Sequence, residues 1–321
     1  MINLAIQPSD ASATCLCVSS LLASLPTTLR SELSIQACAT PTTTALLWLP
    51  SARLGDTSSE LRRILLECRS IRFVQLPMTG VDEFVPLIRE LRARRIVWCC
   101  SKGCFGEMCA EHALALTLSL LRRISCRSTT PEHVDSLVSK RVVIVGSGSI
   151  AQHLCTMLVP FRCTITCLDS NTSRSDLVSS LRDAQIIMIA CALTQATSNL
   201  FNCSLFSLLS PCAILINVAR AEIVHTPDLI SALSTNKLHA AAADVFTPPP
   251  AHQLDQMQML ITNAKLLVTQ HSAVPTKLIG SLLAHRIRAN LETLVESLQA
   301  DQQDQPSQSH WLGKVDPEKG Y

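Results

Sequence analysis

The sequence predicts an α/β protein built on parallel sheets, in about two domains. Short apolar runs alternate along the chain with longer helical patterns, which is typical of strands joined by crossover helices. A length of 321 residues suits two domains that each bury a core of their own. Hydrophobic residues make up 47% of the chain and charged residues only 16%, a balance that argues against intrinsic disorder.

Charge and cysteine content narrow the class of protein further. The formal net charge is +2 and no run of Lys and Arg stands out, so nothing in the sequence predicts nucleic-acid binding. The apolar runs are too short for the ~20 residues that span a bilayer. The 15 cysteines form no Cys-x-x-Cys pair, and the first residues lack the basic start of a signal peptide. We expect a cytoplasmic protein with no bound metal, whose cysteines are reduced and mostly buried.

The first third of the chain contains four predicted strands and two predicted helices. A stretch rich in Ala and Leu then predicts a long connecting helix over 106–123. The predicted strands are 2–6, 45–49, 72–76 and 95–99, and the predicted helices are 58–68 and 83–91.

A second alternating series follows a linker at 125–139 that is rich in Ser, Thr and Pro. One amphipathic helix is predicted beyond this series, over 277–298. The predicted strands of the series are 142–145, 164–168, 186–190, 214–217, 239–243 and 266–269.

A glycine-rich loop joins the first strand of that series to a helix. The loop reads Gly-x-Gly-x-x-Ala, in which the first glycine permits a tight turn and the second lets the backbone approach a pyrophosphate. Amides at the helix start then face the anion. An ordinary turn between strand and helix is the alternative. The loop therefore predicts the binding of a dinucleotide cofactor. The residues predicted to bind it are Gly146, Ser147, Gly148, Ser149 and Ile150.

An acidic residue at the end of the next strand favours NAD over NADP. Asp169 stands where a carboxylate accepts hydrogen bonds from ribose hydroxyls and repels a 2′-phosphate. Arg174 could instead serve a 2′-phosphate, although a solvated arginine is the simpler explanation.

A series of short motifs occurs in a fixed order over 71–298. These stretches are 76–82 (LPMTGVD), 110–116 (AEHALAL), 192–197, 216–220 (INVAR), 243–246 (ADVF) and 269–273 (TQHSA). Their order resembles the D-isomer-specific 2-hydroxyacid dehydrogenase family, and in particular its glyoxylate and hydroxypyruvate reductases. The resemblance implies a Rossmann domain inserted in a flavodoxin-like substrate domain, both doubly wound. It places the substrate domain at 1–106, completed by 276–300, and the NAD-binding domain at 107–275. We expect the tail, 301–321, to be disordered.

The resemblance also assigns site residues. The loop Thr79, Gly80 and Val81 would hold a substrate carboxylate through its amides, with Arg220 as the cation and His271 as the proton donor. Reduction of a 2-oxoacid needs such a pair, because a planar guanidinium grips a carboxylate and an imidazole supplies a proton near neutral pH. An ion-paired arginine and a buried structural histidine are the alternatives. The further cofactor contacts that the resemblance implies are Ala192, Leu193, Thr197, Val218, Ala219, Arg220, Asp244, His271 and Ala273.

Three departures from the family pattern leave a second function open. Pro249 occupies the position of the family's glutamate, which orients the histidine, and Ala221 replaces a glycine. The stretch between Arg123 and Val145 is short for the family's dimer arm, so a homodimer is less strongly indicated. The leading hypothesis is an NAD(H)-dependent reductase of a small 2-oxoacid. A catalytically weak NAD(H)-binding protein with a regulatory role is the alternative, and formate-like oxidation is a third possibility.

Overall fold

The computed structural model of the chain describes residues 1–7, 18–50, 55–124, 130, 134–302 and 310–320. The chain divides into two compact units: 1–105 with 275–321, and 106–274. Each unit is built on one parallel sheet, which confirms the predicted α/β fold with two doubly wound domains.

The strands, numbered along the chain, are β1 (Ile2–Gln7), β2 (Leu33–Gln36), β3 (Ala45–Trp48), β4 (Phe73–Gln75), β5 (Val97–Cys99), β6 (Arg141–Val145), β7 (Thr164–Leu168), β8 (Ile186–Ile189), β9 (Ile214–Asn217), β10 (Ala240–Ala243) and β11 (Leu266–Val268). The helices are α1 (Val18–Ser24), α2 (Thr27–Ser31), α3 (Ser58–Glu67), α4 (Val85–Glu90), α5 (Gly106–Leu121), α6 (Ser149–Leu158), α7 (Arg174–Arg182), α8 (Cys203–Phe206), α9 (Thr226–Ser234), α10 (Leu254–Thr262) and α11 (Thr276–Gln302).

The sheet of the first unit has the strand order β2-β1-β3-β4-β5, which is the flavodoxin-like order. Helix α11 buries Leu283, Ile287 and Leu291 in one apolar cluster with residues of β1 and β3. The sequence analysis missed β2. This strand lies at the sheet edge, where Ile35 is 43% exposed, so the short segment has no continuous apolar run to mark it.

The C-terminal segment of the first unit corrects the expectation of a disordered tail. The amide of Cys100 donates to the carbonyl of Gly313 over 2.8 Å, and the amide of Val315 donates to the carbonyl of Trp98 over 2.9 Å. The ring of Trp311 stacks on Phe73 with centroids 5.3 Å apart. Residues 310–320 therefore pack along β5, and 303–309 lie outside the described residues.

The sheet of the second unit has the strand order β11-β10-β9-β8-β6-β7. The chain leaves β6 toward β7 at one edge and then returns to β8 on the other side of β6. This reversal is the topological switch point, where open α/β sheets bind ligands beyond the carboxyl ends of their strands. Apolar clusters cover both faces of the sheet.

Two helices differ slightly from their predicted bounds. The segment predicted as one helix over 83–91 is a short 3-10 turn followed by α4, which carries a proline in its first turn. The connecting helix α5 ends at Leu121, and most of the predicted linker, 125–129 and 131–133, lies outside the described residues. No helix in the described part of the chain is long and apolar enough to cross a bilayer.

Candidate active site

The glycine loop between β6 and α6 is shaped by the strand beside it. Gly146 has a φ of +129°, and a Cβ at this position would lie 2.5 Å from the carbonyl oxygen of Ala190, just beyond β8. Gly148 is different, because its φ is −79° and a Cβ there would meet no atom within 4 Å. The first glycine is therefore required by the fold, and the second leaves open space above the backbone, which fits the close approach of a pyrophosphate.

The amides at the start of α6 are open donors. The backbone N–H groups of Ser147, Gly148, Ser149 and Ile150 donate no hydrogen bond to any described residue, and no side chain caps the helix. Ser147 and Gly148 are exposed. Open amides at the positive end of a helix dipole are what an anion requires, so the chain's own residues fit the phosphates of a dinucleotide.

Asp169 follows β7 as an exposed carboxylate. Its Oδ1 accepts hydrogen bonds from the amide of Asn171 over 2.9 Å and from the hydroxyl of Thr172 over 3.2 Å. The bond from the Asn171 amide, more than any other interaction, lowers the pKa of Asp169 below its ordinary value. The side chain is therefore charged at neutral pH and held in place by its own turn.

The hydroxyl of Thr197 organises the turn after β8 through hydrogen bonds to the backbone. This oxygen donates to the carbonyl of Ala192 over 2.8 Å and accepts from the amide of Thr194 over 2.7 Å. Ala192 and Leu193 are half-buried beside it. The predicted contacts of this segment thus lie on a defined turn at the carboxyl edge of the sheet.

Arg220 follows β9 on a turn organised by Asn217. The Asn217 side chain, which is buried, donates to the carbonyl of Arg220 over 2.9 Å and accepts from the amide of Ala219 over 3.0 Å. Val218 and Ala219 are buried, whereas Arg220 is half-buried. Ala221 begins a 3-10 turn and does not have a positive φ, so the missing family glycine imposes no strain.

The turn 269–273, which carries His271, is folded around the carboxylate of Asp244. Oδ1 accepts from the hydroxyl of Thr269 over 2.6 Å and from the amide of Ser272 over 2.8 Å, and Oδ2 accepts from the amide of Ala273 over 3.1 Å. The amide of His271 donates to the backbone carbonyl of Asp244 over 2.8 Å. These bonds hold His271 at a φ of +51°, a left-handed conformation that costs a non-glycine residue about 1 kcal/mol or more.

Asp244 is only 2% exposed, and its environment fixes its charge. Burial by itself raises the pKa of this carboxyl, but hydrogen bonds from His112, Thr269 and two backbone amides outweigh burial and bring the pKa below the ordinary value. Most of its acceptor capacity is used within the chain. This arrangement supports the role of a turn cap, and a contact with a nicotinamide stays a prediction.

Two residues of α5 were missed as site residues. His112 Nε2 lies 3.0 Å from Thr269 Oγ1 and 3.3 Å from Asp244 Oδ1. Because the Thr269 hydroxyl gives its proton to Asp244, the nitrogen of His112 is the donor in this network. Burial raises the pKa of the Cys109 thiol to about 11, and the charge of Asp244 adds to the effect while Arg220 opposes it. Cys109 and His112 are three residues apart in an otherwise Ala/Leu-rich helix, a spacing that puts both on one face.

The second unit also matches a known family. Residues 115–273 match the family model described as D-isomer specific 2-hydroxyacid dehydrogenase, NAD binding domain. The second unit is an NAD-binding domain of this family. Family relationship supports NAD-dependent reduction of 2-oxoacids to D-2-hydroxyacids and places the protein among the oxidoreductases.

Sequence similarity to other proteins extends over most of the chain. A glyoxylate/hydroxypyruvate reductase of Arabidopsis thaliana is 26% identical over 249 residues, which cover 71% of this chain and 75% of the relative. A glyoxylate reductase/hydroxypyruvate reductase of Homo sapiens is 26% identical over 254 residues, which cover 70% and 72%. The solved structure of a glyoxylate reductase from Paecilomyes thermophila superposes with a TM-score of 0.75 at 14% identity and covers 99% of both chains, which shows a shared fold.

Among the described residues of the NAD-binding domain, no carboxylate makes a hydrogen bond to the side chain of His271. Its exposed imidazole makes no hydrogen bond to any described residue. Pro249, in the position of the family's glutamate, is buried. Asp255, the nearest acidic residue downstream of Pro249, lies exposed in the first turn of α10 and makes no hydrogen bond to His271.

The predicted carboxylate-binding loop lies on the first unit, after β4. The amides of Thr79, Gly80 and Val81 donate no hydrogen bond to any described residue, and Val81 is only 1% exposed. The hydroxyl of Thr79 donates to the carbonyl of Ser101 over 3.4 Å. Thr79 is exposed and Gly80 is half-buried, so water can reach their amides. A buried amide without a protein acceptor, as at Val81, is rare because an unmade hydrogen bond is costly, and this donor fits a small anion.

Proposed function

We propose that the protein is an NAD(H)-dependent reductase that converts a small 2-oxoacid, of the glyoxylate, hydroxypyruvate or pyruvate type, to the D-2-hydroxyacid. The observation that carries the proposal is the carboxyl edge of the six-stranded sheet. That edge presents the open amides of the Gly146 loop, the cation of Arg220 and the imidazole of His271 on the turns after β6, β9 and β11. The similarity to two glyoxylate/hydroxypyruvate reductases supports the choice of substrate class.

The cofactor would be held by the NAD-binding domain and would supply the hydride. The amides of 147–150 would bind its phosphates, and Asp169 would accept hydrogen bonds from ribose hydroxyls. The charge of Asp169 favours NADH over NADPH. In the Asp169→Ala variant, the ratio of the dissociation constant of NADPH to that of NADH should fall about tenfold. Arg174→Ala is the matched control, and a loss of NADPH affinity in that variant would reverse the assignment.

Arg220 would bind the substrate carboxylate. The amides of 79–81, on the first unit, are by themselves proposed donors to a carboxylate. A guanidinium offers two parallel donors to a planar 2-oxoacid and also polarises the ketone, which a lysine cannot do with the same geometry. His271 would donate a proton to the ketone oxygen as the hydride arrives, so that no free alkoxide forms. Asp244 and His112 would act as positioning residues, because they hold the turn that carries His271.

A second candidate is a catalytically weak or inactive NAD(H)-binding protein with a regulatory role. The specific observation in its favour is that no described residue accepts a hydrogen bond from the side chain of His271, since Pro249 has no acceptor and Asp255 makes no hydrogen bond to it. A histidine without such a partner is less well oriented as an acid, and general-acid steps of this kind contribute about 10²-fold or more.

The oxidation of NADH with a panel of 2-oxoacids, followed at several pH values, separates the two candidates. The reductase predicts turnover clearly above the enzyme-free control with at least one 2-oxoacid of this panel. It also predicts that Arg220→Lys loses about 10²-fold in turnover while NADH affinity stays within about twofold. Rates equal to the enzyme-free control, together with measurable NADH binding, would select the regulatory protein.

A further inference from the structure

A pair of cysteines lies on α6 and β7 of the NAD-binding domain, the helix and the strand that follow the glycine loop. Cys155 is in the middle of α6, Cys167 is in β7, and their sulfur atoms are 3.4 Å apart in an S–H···S hydrogen bond. This is the only sulfur–sulfur hydrogen bond within the described part of the chain. The proposed role in cofactor binding gives the pair no function.

The pair is accessible to solvent, unlike the buried cysteines of the chain. Cys167 is exposed and Cys155 is half-exposed, and β7 is the edge strand of its sheet. By contrast, Cys99 and Cys100 are both buried, and as successive residues at the end of a strand they point to opposite faces. A small oxidant from solution can therefore reach Cys155 and Cys167 far more easily than Cys99 and Cys100.

The geometry is close to that of a disulfide. A disulfide needs an S–S distance of about 2.05 Å, so the two sulfurs must approach by little more than 1 Å. Each side chain can turn about its Cα–Cβ bond to bring the sulfur closer. The helix and the strand already bring these two side chains together, since their sulfurs are 3.4 Å apart although the residues lie 12 positions apart in the chain.

We propose that Cys155 and Cys167 are a redox modification site, which closes to an intramolecular disulfide when the protein meets hydrogen peroxide. One cysteine sulfur attacks a peroxide oxygen and the O–O bond breaks, which leaves a sulfenic acid and releases one water. The second sulfur attacks the sulfenic sulfur, the S–O bond breaks as the S–S bond forms, and a second water leaves. The two sulfurs give up two electrons and one peroxide takes them.

The reaction should be slow at neutral pH. Partial burial and the hydrogen bond from Cys155 raise the pKa of Cys167 to about 11. Since the thiolate is the reactive form, the oxidation is best carried out at about pH 8.5. An exposed disulfide of this kind is also expected to be reopened by dithiothreitol.

Peptide mapping of the full chain tests the site directly. The protein is treated with hydrogen peroxide, its remaining thiols are alkylated, and it is digested with trypsin without reduction. Cleavage after Arg162 separates peptide 142–162, whose one cysteine is Cys155, from peptide 163–174, which contains Cys163 and Cys167. We expect these two peptides to be joined after peroxide treatment and to separate after dithiothreitol.

Matched variants identify the partner. The joined peptides should persist in Cys163→Ser and disappear in both Cys167→Ser and Cys155→Ser, and thermal melting shows that each variant is folded. Should either of the last two fail to fold, the other gives the same answer. Joined peptides that are lost in Cys163→Ser but kept in Cys167→Ser would overturn the proposal. So would peroxide oxidation of other exposed thiols, such as Cys203, without any joined peptide.

Discussion

At the Gly146 loop the amides of 147–150 donate to no described residue, whereas at the turn 269–273 the amides of His271, Ser272 and Ala273 all donate to Asp244. Both segments follow strands at the same edge of the six-stranded sheet. The first leaves its donors open, as the proposed binding of cofactor phosphates requires. The second uses its donors to hold the backbone of His271, because a left-handed histidine needs a fixed backbone. Under the proposed function, binding and positioning are thus separated within one domain.

The largest effect is expected at the loop itself, from Gly146→Ala. The added Cβ would lie 2.5 Å from the Ala190 carbonyl oxygen at a φ of +129°, so the strand ends must move apart. We expect a loss of at least about 2 kcal/mol, or a melting temperature lower by roughly 5 °C or more. Gly148→Ala is the control, and its melting temperature should equal that of the wild type. Equal melting temperatures for all three proteins would refute the close packing of the loop.

The next effect concerns acid stability at the turn, tested with Asp244→Asn. The hydrogen bonds around Asp244 outweigh its burial and lower the pKa of this carboxyl in the folded protein, compared with about 3.9 in an unfolded chain. Its stabilising effect is therefore full above about pH 5 and is lost as pH falls below about 4. Melting temperatures at pH 7, 5, 4 and 3 should show wild type and variant converging only at the acid end. The melting temperature of Asp255→Asn should equal that of the wild type at every pH. A difference between wild type and Asp244→Asn that stays the same at all four pH values would rule out the assigned charge of Asp244.

A smaller effect on turnover is expected from His112. Its Nε2 lies near the hydroxyl of Thr269, in the turn, and near the carboxylate of Asp244, around which the turn is folded. Removing its donor in His112→Ala should lower kcat about tenfold and leave the KM for NADH unchanged, because the proton donor is less well held. His112→Gln keeps an N–H donor and should recover most of the loss. A rise in the KM for NADH with kcat unchanged would instead make His112 part of cofactor binding.

Much of the fold could be predicted because the central strands of the NAD-binding domain, β6, β8, β9 and β10, are buried on both faces and read as continuous apolar runs. The runs at 142–145 and 186–190 are examples, and the structure has β6 and β8 there. β2 and the segment 310–320 could not be found in this way. These segments are held in place by residues that are distant in sequence, which no local pattern reveals. The stacking of Trp311 on Phe73 is an example.

The site was predicted unevenly for a similar reason. The glycine loop has a local signature, because a tight turn and a close approach need glycines at fixed spacing. The role of Asp244 as the centre of a turn has no such signature, since its partners come from α5 and from the residues after β11. Sequence reasoning recognised the motifs that contain Asp244 and His112, but only the folded chain brings them together.

The most direct measurement compares NADH binding by Gly148→Val and Asp244→Asn with that of the wild type. Gly148 has open space and an ordinary φ, so a valine there should leave the fold intact while blocking the approach of a pyrophosphate. We predict that Gly148→Val raises the dissociation constant of NADH at least about tenfold at an unchanged melting temperature. Asp244→Asn should keep that constant within about twofold while turnover falls about 10²-fold. Loss of NADH binding in Asp244→Asn, or its retention in Gly148→Val, would contradict the separation of binding from positioning.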